Sequence, residues 1–494
     1  MQSFRHPEVW VFAILLASYA YFWQSRDWNS ASRLMLTYAI VDRGTVELNG
    51  LEDQTHDRAF LRGRYYSDKL PGFSLLATLP YVAAKQVLGL PGHPLNVPGF
   101  AYWPADYWVT LGTSGLLTAL TGALLAGLAC TLGCGPRRAA LVGLCYGLAT
   151  PAYVYATVSY GHQVTAFALL ASFALLWQTG TRRAGIRIGL AGFLAAFAAV
   201  VELQAGVVSA VLGLYLLAQV VGGVRRPAAL GNFAVGALVP TLVLLGYNVL
   251  AFGSPWDMGY FHHATKAFAD VHSEQNPLGL VGPDLSKVGP LLWGRYRGLV
   301  FYAPVVAVVP VGLIVLVRRR LWGMAVVSLA TMAAVFLVNL SYPEWTGGWS
   351  TGPRLLVTLL PFAMLPAAAW LGQGGRFPVA AITALGLCGG VLMLLFIGVG
   401  GRIPQYYPDP LFDPVWRLWR GREVAGWVGA PFARNIVAWL APGPVSRLPA
   451  GSRWLQFAPL VVGQAVAVAA MPWCLRPQPV EAQGKSAAAV KPVC

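Results

Sequence analysis

The sequence predicts an all-α, polytopic membrane protein. Hydrophobic residues make up 56% of the 494-residue chain and charged residues only 11%, against about 25% charged in a soluble domain. Apolar runs of helical length recur with short polar breaks. The basic residues cluster between those runs, as orientation signals do. The net charge of +16 therefore does not point to nucleic acid. The cysteines lie in or beside apolar segments or at the C-terminus, which predicts no structural disulfide and no metal cluster.

Glu8 to Trp23 is the first apolar run. Trp23-Gln24-Ser25-Arg26 lacks a small-residue cleavage site, so the run reads as an uncleaved helix. From Arg26 to Lys69 the chain carries seven acidic and seven basic residues. A charge at the bilayer centre costs about 2.5–3.5 kcal/mol, so this stretch is expected to face water. It ends in HDRAFLRGRYYSDKLPG, His56 to Gly72. Leu70–Leu90 is apolar but carries Pro71, Pro80 and Lys85. It is expected to be interfacial or re-entrant, within a first outer loop 26–106. Spans are expected near 107–132, 139–154, 163–179, 186–201, 204–222, 229–252, 299–317, 321–341, 355–372, 378–398 and 454–473, about twelve with the first run. The clusters Arg137-Arg138, Arg182-Arg183-Arg187, Arg225-Arg226, Arg318-Arg319-Arg320 and Arg376 place those turns in the cytoplasm, with both termini. Residues 253–298 and 400–452 then lie outside, the latter as an amphipathic piece at the membrane surface. Residues 1–473 form one transmembrane domain, and 474–494 a disordered cytoplasmic tail.

Several polar residues carry two readings. Asp57 and Asp68, eleven apart, and Asp27 after the first helix are either bases for an acceptor hydroxyl or partners of nearby Arg and Lys. Lys69 either binds phosphate as a point charge or orients the loop at the lipid surface. His162 either faces a cavity or is a satisfied interfacial histidine. Glu202 is either a functional intramembrane carboxylate or a solvated turn residue. Arg295, Arg297 and Arg354 precede apolar helices, as phosphate forks or headgroup anchors. Trp349 stacks on a sugar or belongs to an aromatic belt. Asp257, His262, His263 and His272 fit no standard ligand spacing, so neither a metal nor a cofactor is expected, and a divalent ion has no support. There is no P-loop and no strand–GxGxxG–helix. A sugar donor, if the chain uses one, is therefore lipid-linked.

GRYYSDKLPGFSLL resembles the G-x-Y-x-x-[DE]-K-P-P-L segment of the GT-C glycosyltransferases, which include protein O-mannosyltransferases and lipid A aminoarabinose transferases. Leu70-Pro71-Gly72 stands in place of the Pro-Pro. Across residues 9–372 the strings SRLMLTYAIVDRGTVEL, YNVLAFGSPWDMGY, YRGLVFYAP and TGGWSTGPRLL resemble a bacterial group of GT-C-like membrane proteins. The resemblance implies an inverting hexosyl or pentosyl transfer from a polyprenyl-phosphate donor to a lipid, glycan or protein acceptor. The transfer is expected on the non-cytoplasmic face of a bacterial inner membrane. The superfamily's acidic pair after the first helix is here the single carboxylate of Asp27. That departure motivates one rival, a catalytically silent GT-C-like protein. The other rival, a transporter or flippase for a lipid-linked or anionic substrate, requires ionisable groups deep in helices.

Overall fold

Proline at the first helical turn and an unbroken apolar run make α1 (Pro7–Ala20). The charged stretch after it is not an open loop. Asp27 accepts from the Ser30 N–H while Ser30 returns a bond to the Asp27 backbone, and this box starts α2 (Trp28–Arg43), which Gly44 closes at φ 63°. Arg62 and Gly63, at φ 51° and 79°, supply the paired left-handed turn of a two-residue hairpin. That hairpin joins β1 (Arg58–Leu61) to β2 (Arg64–Ser67). Its register pairs Arg58 with Ser67 and Ala59 with Tyr66. The chain then enters α3 (Gly72–Leu88), whose Lys85 ammonium lies 2.5 Å from Asp42 on α2.

The structure, a computed structural model, describes residues 6–96, 103–178, 183–269, 271–427, 431–443 and 447–474. Arg182, residues 97–102 of the expected first outer loop, 428–430 and 444–446 of the last one, and 475–494 of the expected tail lie outside the described residues.

Among the described residues, besides shorter helical turns, eleven helices of ten residues or more follow: α4 (Pro104–Thr131), α5 (Pro136–Leu148), α6 (Gly161–Trp177), α7 (Ala184–Val201), α8 (Leu203–Val221), α9 (Ala228–Phe252), α10 (Pro304–Arg318), α11 (Trp322–Ser341), α12 (Arg354–Gly372), α13 (Arg376–Gly398) and α14 (Ala458–Cys474). Among the described residues eight helices are long and apolar enough to cross a membrane, and α1, α6 and α10 are shorter apolar helices. The chain is an integral, multi-pass membrane protein. Helix α3 is not among those eight.

Small residues set the closest packing. A Cβ on Gly236 of α9 would come within 1.8 Å of the Gly189 carbonyl oxygen on α7, so the two backbones meet without side chains between them. Helix α9 otherwise presents apolar side chains outward, with Leu250 and Val235 exposed, the surface a lipid-facing helix needs. Helices α6 and α12 lie at the centre, with Phe173, Phe362 and Leu365 fully buried. Within the expected 400–452 stretch the chain returns to the segment just after the first helix: Ile436 N–H donates to the Tyr21 carbonyl, and Trp23 N–H to the Arg434 carbonyl.

Candidate active site

The hairpin explains why two aspartates eleven residues apart act as one unit. The register that pairs Arg58 with Ser67 puts Asp57 and Asp68 opposite each other just beyond the last pair. Lys69 bridges them, its ammonium 2.9 Å from Asp57 and 2.7 Å from Asp68. The 253–298 segment extends this edge. Ala264 N–H donates to the Arg58 carbonyl, and His263 Nε2 comes 3.4 Å from Asp68. Ser32 of α2 donates to the other Asp68 oxygen at 3.1 Å. Burial raises the proton affinity of both carboxylates, yet Lys69 and His263 hold Asp68 far below the ordinary range. Asp57 is raised by burial, with the Asp68 charge adding to it. Lys69 is raised despite burial because two carboxylates surround it.

A second cluster surrounds Asp27. Its carboxylate accepts from Ser30 N at 2.8 Å and Ser30 Oγ at 2.7 Å, and from the Tyr160 hydroxyl. Arg402 stands 3.1 Å away. Burial pushes the Asp27 pKa up, but Arg402, Tyr160 and Ser30 together bring it below the usual carboxylate value. The Arg354 guanidinium stacks on the Tyr160 ring, 5.1 Å from its centroid. It has no ion-pair partner among the described residues, and its Nε is buried without a hydrogen bond. Burial and the neighbouring Arg402 push Arg434 down to about 10.

Between the two clusters lies a third. His162, at the start of α6, places Nδ1 2.8 and 2.9 Å from the two Glu202 oxygens. Arg33 of α2 reaches the same carboxylate at 3.6 Å.

All three clusters line one cavity of about 920 Å³, within the roughly 300–1,000 Å³ common for small-ligand sites. Asp27, Asp57, Asp68, Lys69, His162, Trp349 and Arg354 all face it. Phe22, Ile397, Trp427, Phe432 and Phe457 form an apolar wall beside Arg402 and Arg434.

Arg295 and Arg297, expected at a phosphate, are not among its lining residues. Arg295 is exposed and pairs with Asp409 at 3.3 Å. Arg297 is fully buried and donates to the Thr346, Gly348 and Tyr296 carbonyls at 2.8, 2.9 and 3.1 Å. It braces the Gly347–Gly348 turn that presents Trp349. Lys69 is more heavily neutralised than a phosphate site wants, one ammonium against two carboxylates.

The four residues set aside as a poor metal set separate. His262 pairs with Asp257 at 2.7 Å, and His272 stacks on Tyr260. The group that could offer three ligand atoms is instead Asp57, Asp68 and His263, within 4.8 Å of one another, with the Lys69 ammonium between the carboxylates. Glu202 is a cavity residue rather than a solvated turn.

Arg33, Arg402 and Arg434 are site residues that the sequence does not single out. Arg402 follows a Gly-rich helix end, GVGGR, much as Arg354 follows TGPR, and that likeness was the available signal.

No protein-family model matches the sequence, and no curated protein does. Among solved structures the chain is similar to ArnT from Cupriavidus metallidurans in the apo state, with TM-score 0.48 and 14% identity over 94% of this chain and 73% of that one. It is similar to the same protein bound to undecaprenyl phosphate, with TM-score 0.46 and 14% identity over 95% and 74%. It is also similar to the archaeal oligosaccharyltransferase AglB from Archaeoglobus fulgidus, in complex with an inhibitory peptide and a dolichol-phosphate. That match has TM-score 0.48 and 11% identity over 78% of this chain and 55% of that one. At these identities the likenesses assign no residue a role.

Proposed function

We propose that the chain is a GT-C-type glycosyltransferase that moves a sugar from a polyprenyl-phosphate donor to an acceptor hydroxyl. The observation that carries this reading is Arg354: a cavity-lining guanidinium without a carboxylate partner among the described residues. Its planar fork suits a phosphate. The apolar wall nearby suits the start of a lipid chain, and the carboxylates and His162 suit proton transfer. Phosphate is already a leaving group, so charge stabilisation at Arg354 and Arg402 matters more than an acid. The transfer is hexosyl or pentosyl and inverts the anomeric centre. The acceptor is a lipid, glycan or protein hydroxyl, and no cofactor takes part.

The arginines support a non-cytoplasmic side for the cavity. Arg138 donates to the Leu371 and Gly375 carbonyls, and Arg319 to the Leu132 carbonyl. These clusters gather where α12 ends, whereas Arg354 at its start faces the cavity. Basic turns stay in the cytoplasm, so the cavity opens on the opposite side of a bacterial inner membrane. A cysteine at the exposed Arg64 position should react with an impermeant reagent in intact cells. Labelling only after lysis places the cavity inside.

Radiolabelled transfer from a panel of polyprenyl-phosphate sugars into membranes tests the activity. Transfer from at least one donor is expected, and none from a broad panel overturns the reading. Arg354→Lys keeps the charge and loses the fork. Its apparent donor KM should rise about tenfold, the equivalent of about 1.4 kcal/mol, with its melting temperature unchanged. An unaltered donor KM removes Arg354 from the site.

A further inference from the structure

We propose that His162 takes the proton from the acceptor hydroxyl, with Glu202 behind it as a positioning residue. This rests on the transferase reading above and names a group that neither the sequence pattern nor the GT-C resemblance assigns as the base.

The other candidates are committed. Asp27 accepts from Ser30 and Tyr160 and pairs with Arg402. A carboxylate so satisfied is a weak base. Asp68 pairs with Lys69 and His263. Asp57 keeps a raised proton affinity, but its Oδ2 faces the Lys69 ammonium at 2.9 Å.

His162 is arranged differently. Its Nδ1 lies against both Glu202 oxygens, so the neutral ring donates there and carries its lone pair on Nε2. Nε2 has no hydrogen-bond partner among the described residues, and the side chain, 12% exposed, lines the cavity. The rings of Tyr155 and Tyr160 stand edge-on to it at 5.9 and 5.7 Å and fix its plane. Glu202 is held in turn. Arg33 reaches it at 3.6 Å and also bonds Asn29 Oδ1 at 3.2 Å and the Val201 carbonyl at 3.4 Å. Gly161 leaves it room, since a Cβ there would lie 2.6 Å from Glu202 Oε1. The charged and titratable groups facing His162 are Glu202, Tyr155 and Tyr160, with Arg33 and Arg354 near the carboxylate.

The step balances. The acceptor oxygen bonds the anomeric carbon as its O–H bond breaks. The bond from that carbon to the donor phosphate breaks, and the electron pair leaves with the lipid phosphate beside Arg354. The proton goes to His162 Nε2. The resulting imidazolium is stabilised by Glu202 and later gives its proton to water.

The experiment uses the full chain in proteoliposomes with a donor that the wild type accepts. His162→Gln should lose about 10²–10⁴-fold in kcat, keep its donor KM within about twofold, and lose the acid limb of its pH–rate profile. Glu202→Gln removes the charge that favours the imidazolium form of the ring. Its acid limb should move to lower pH with a smaller loss in kcat, whereas a merely structural role would leave the limb in place. Asp57→Asn should retain the limb. ¹⁵N-histidine spectra should show the Nδ1-protonated tautomer of His162 in the wild type and its loss in Glu202→Gln. Wild-type kcat in His162→Gln, or an unmoved limb in Glu202→Gln, overturns the role of the pair and leaves the transferase reading standing. A wild type inactive with every donor sinks that reading and this role together.

Discussion

Lys69→Met should destabilise the protein by about 3–5 kcal/mol, the usual effect of removing one partner from a buried charge cluster. Asp57, Asp68 and Lys69 are all largely buried, with side chains 12%, 1% and 13% exposed. Without the ammonium, two carboxylates face each other at the open end of the hairpin. One of them must take a proton.

The pH dependence has a definite sign. In the wild type Lys69 is raised above its unfolded value, so its contribution is complete below that value and is lost only as pH rises through the folded one. Asp68 is depressed, so its contribution is present above its unfolded value and falls away in acid. Near neutral pH both contributions are intact, so neither Lys69 nor Asp68 makes the wild-type melting temperature vary with pH there. In Lys69→Met a raised carboxylate pair titrates, so melting temperature in detergent should climb from pH 8 to pH 5. A Lys69→Met protein that melts with the wild type at pH 7 would falsify the bridge.

Arg297→Lys should cost about 3 kcal/mol, because hydrogen bonds to charged groups contribute about 1.5–3 kcal/mol each and lysine cannot span three carbonyls from one planar group. The bonds lost hold the Thr346 and Gly348 carbonyls. Trp349 is the next residue, and Arg354 comes five further on. Donor affinity should therefore fall together with the melting temperature. This separates a brace from a phosphate ligand: lowered affinity at an unchanged melting temperature would return Arg297 to the site.

The apolar spans were legible because a run of helical length needs no partner to be recognised. The cavity was harder to read for a physical reason. Asp57 and Asp68 stand eleven residues apart in sequence, and it is the left-handed Arg62-Gly63 turn that sets them side by side. Arg297 and Arg354 look alike in sequence, each just before an apolar helix. Only burial against three carbonyls tells the first from the second. Arg402 and Glu202 draw their meaning from Asp27 and His162, and no local pattern records a partner so far along the chain.

Those long separations have a consequence for how the protein is made. Arg402 meets Asp27 across most of the sequence, Gln464 donates to Ser18, and Phe22 pairs with Asn435. The first helix emerges from the ribosome hundreds of residues before its partners exist. Contacts of such high sequence separation form late. The cavity therefore stays unfinished until residues 400–435 reach the membrane face that already holds Asp27. A chain that stops before Arg402 carries Arg354, His162 and the hairpin with one wall of the cavity missing.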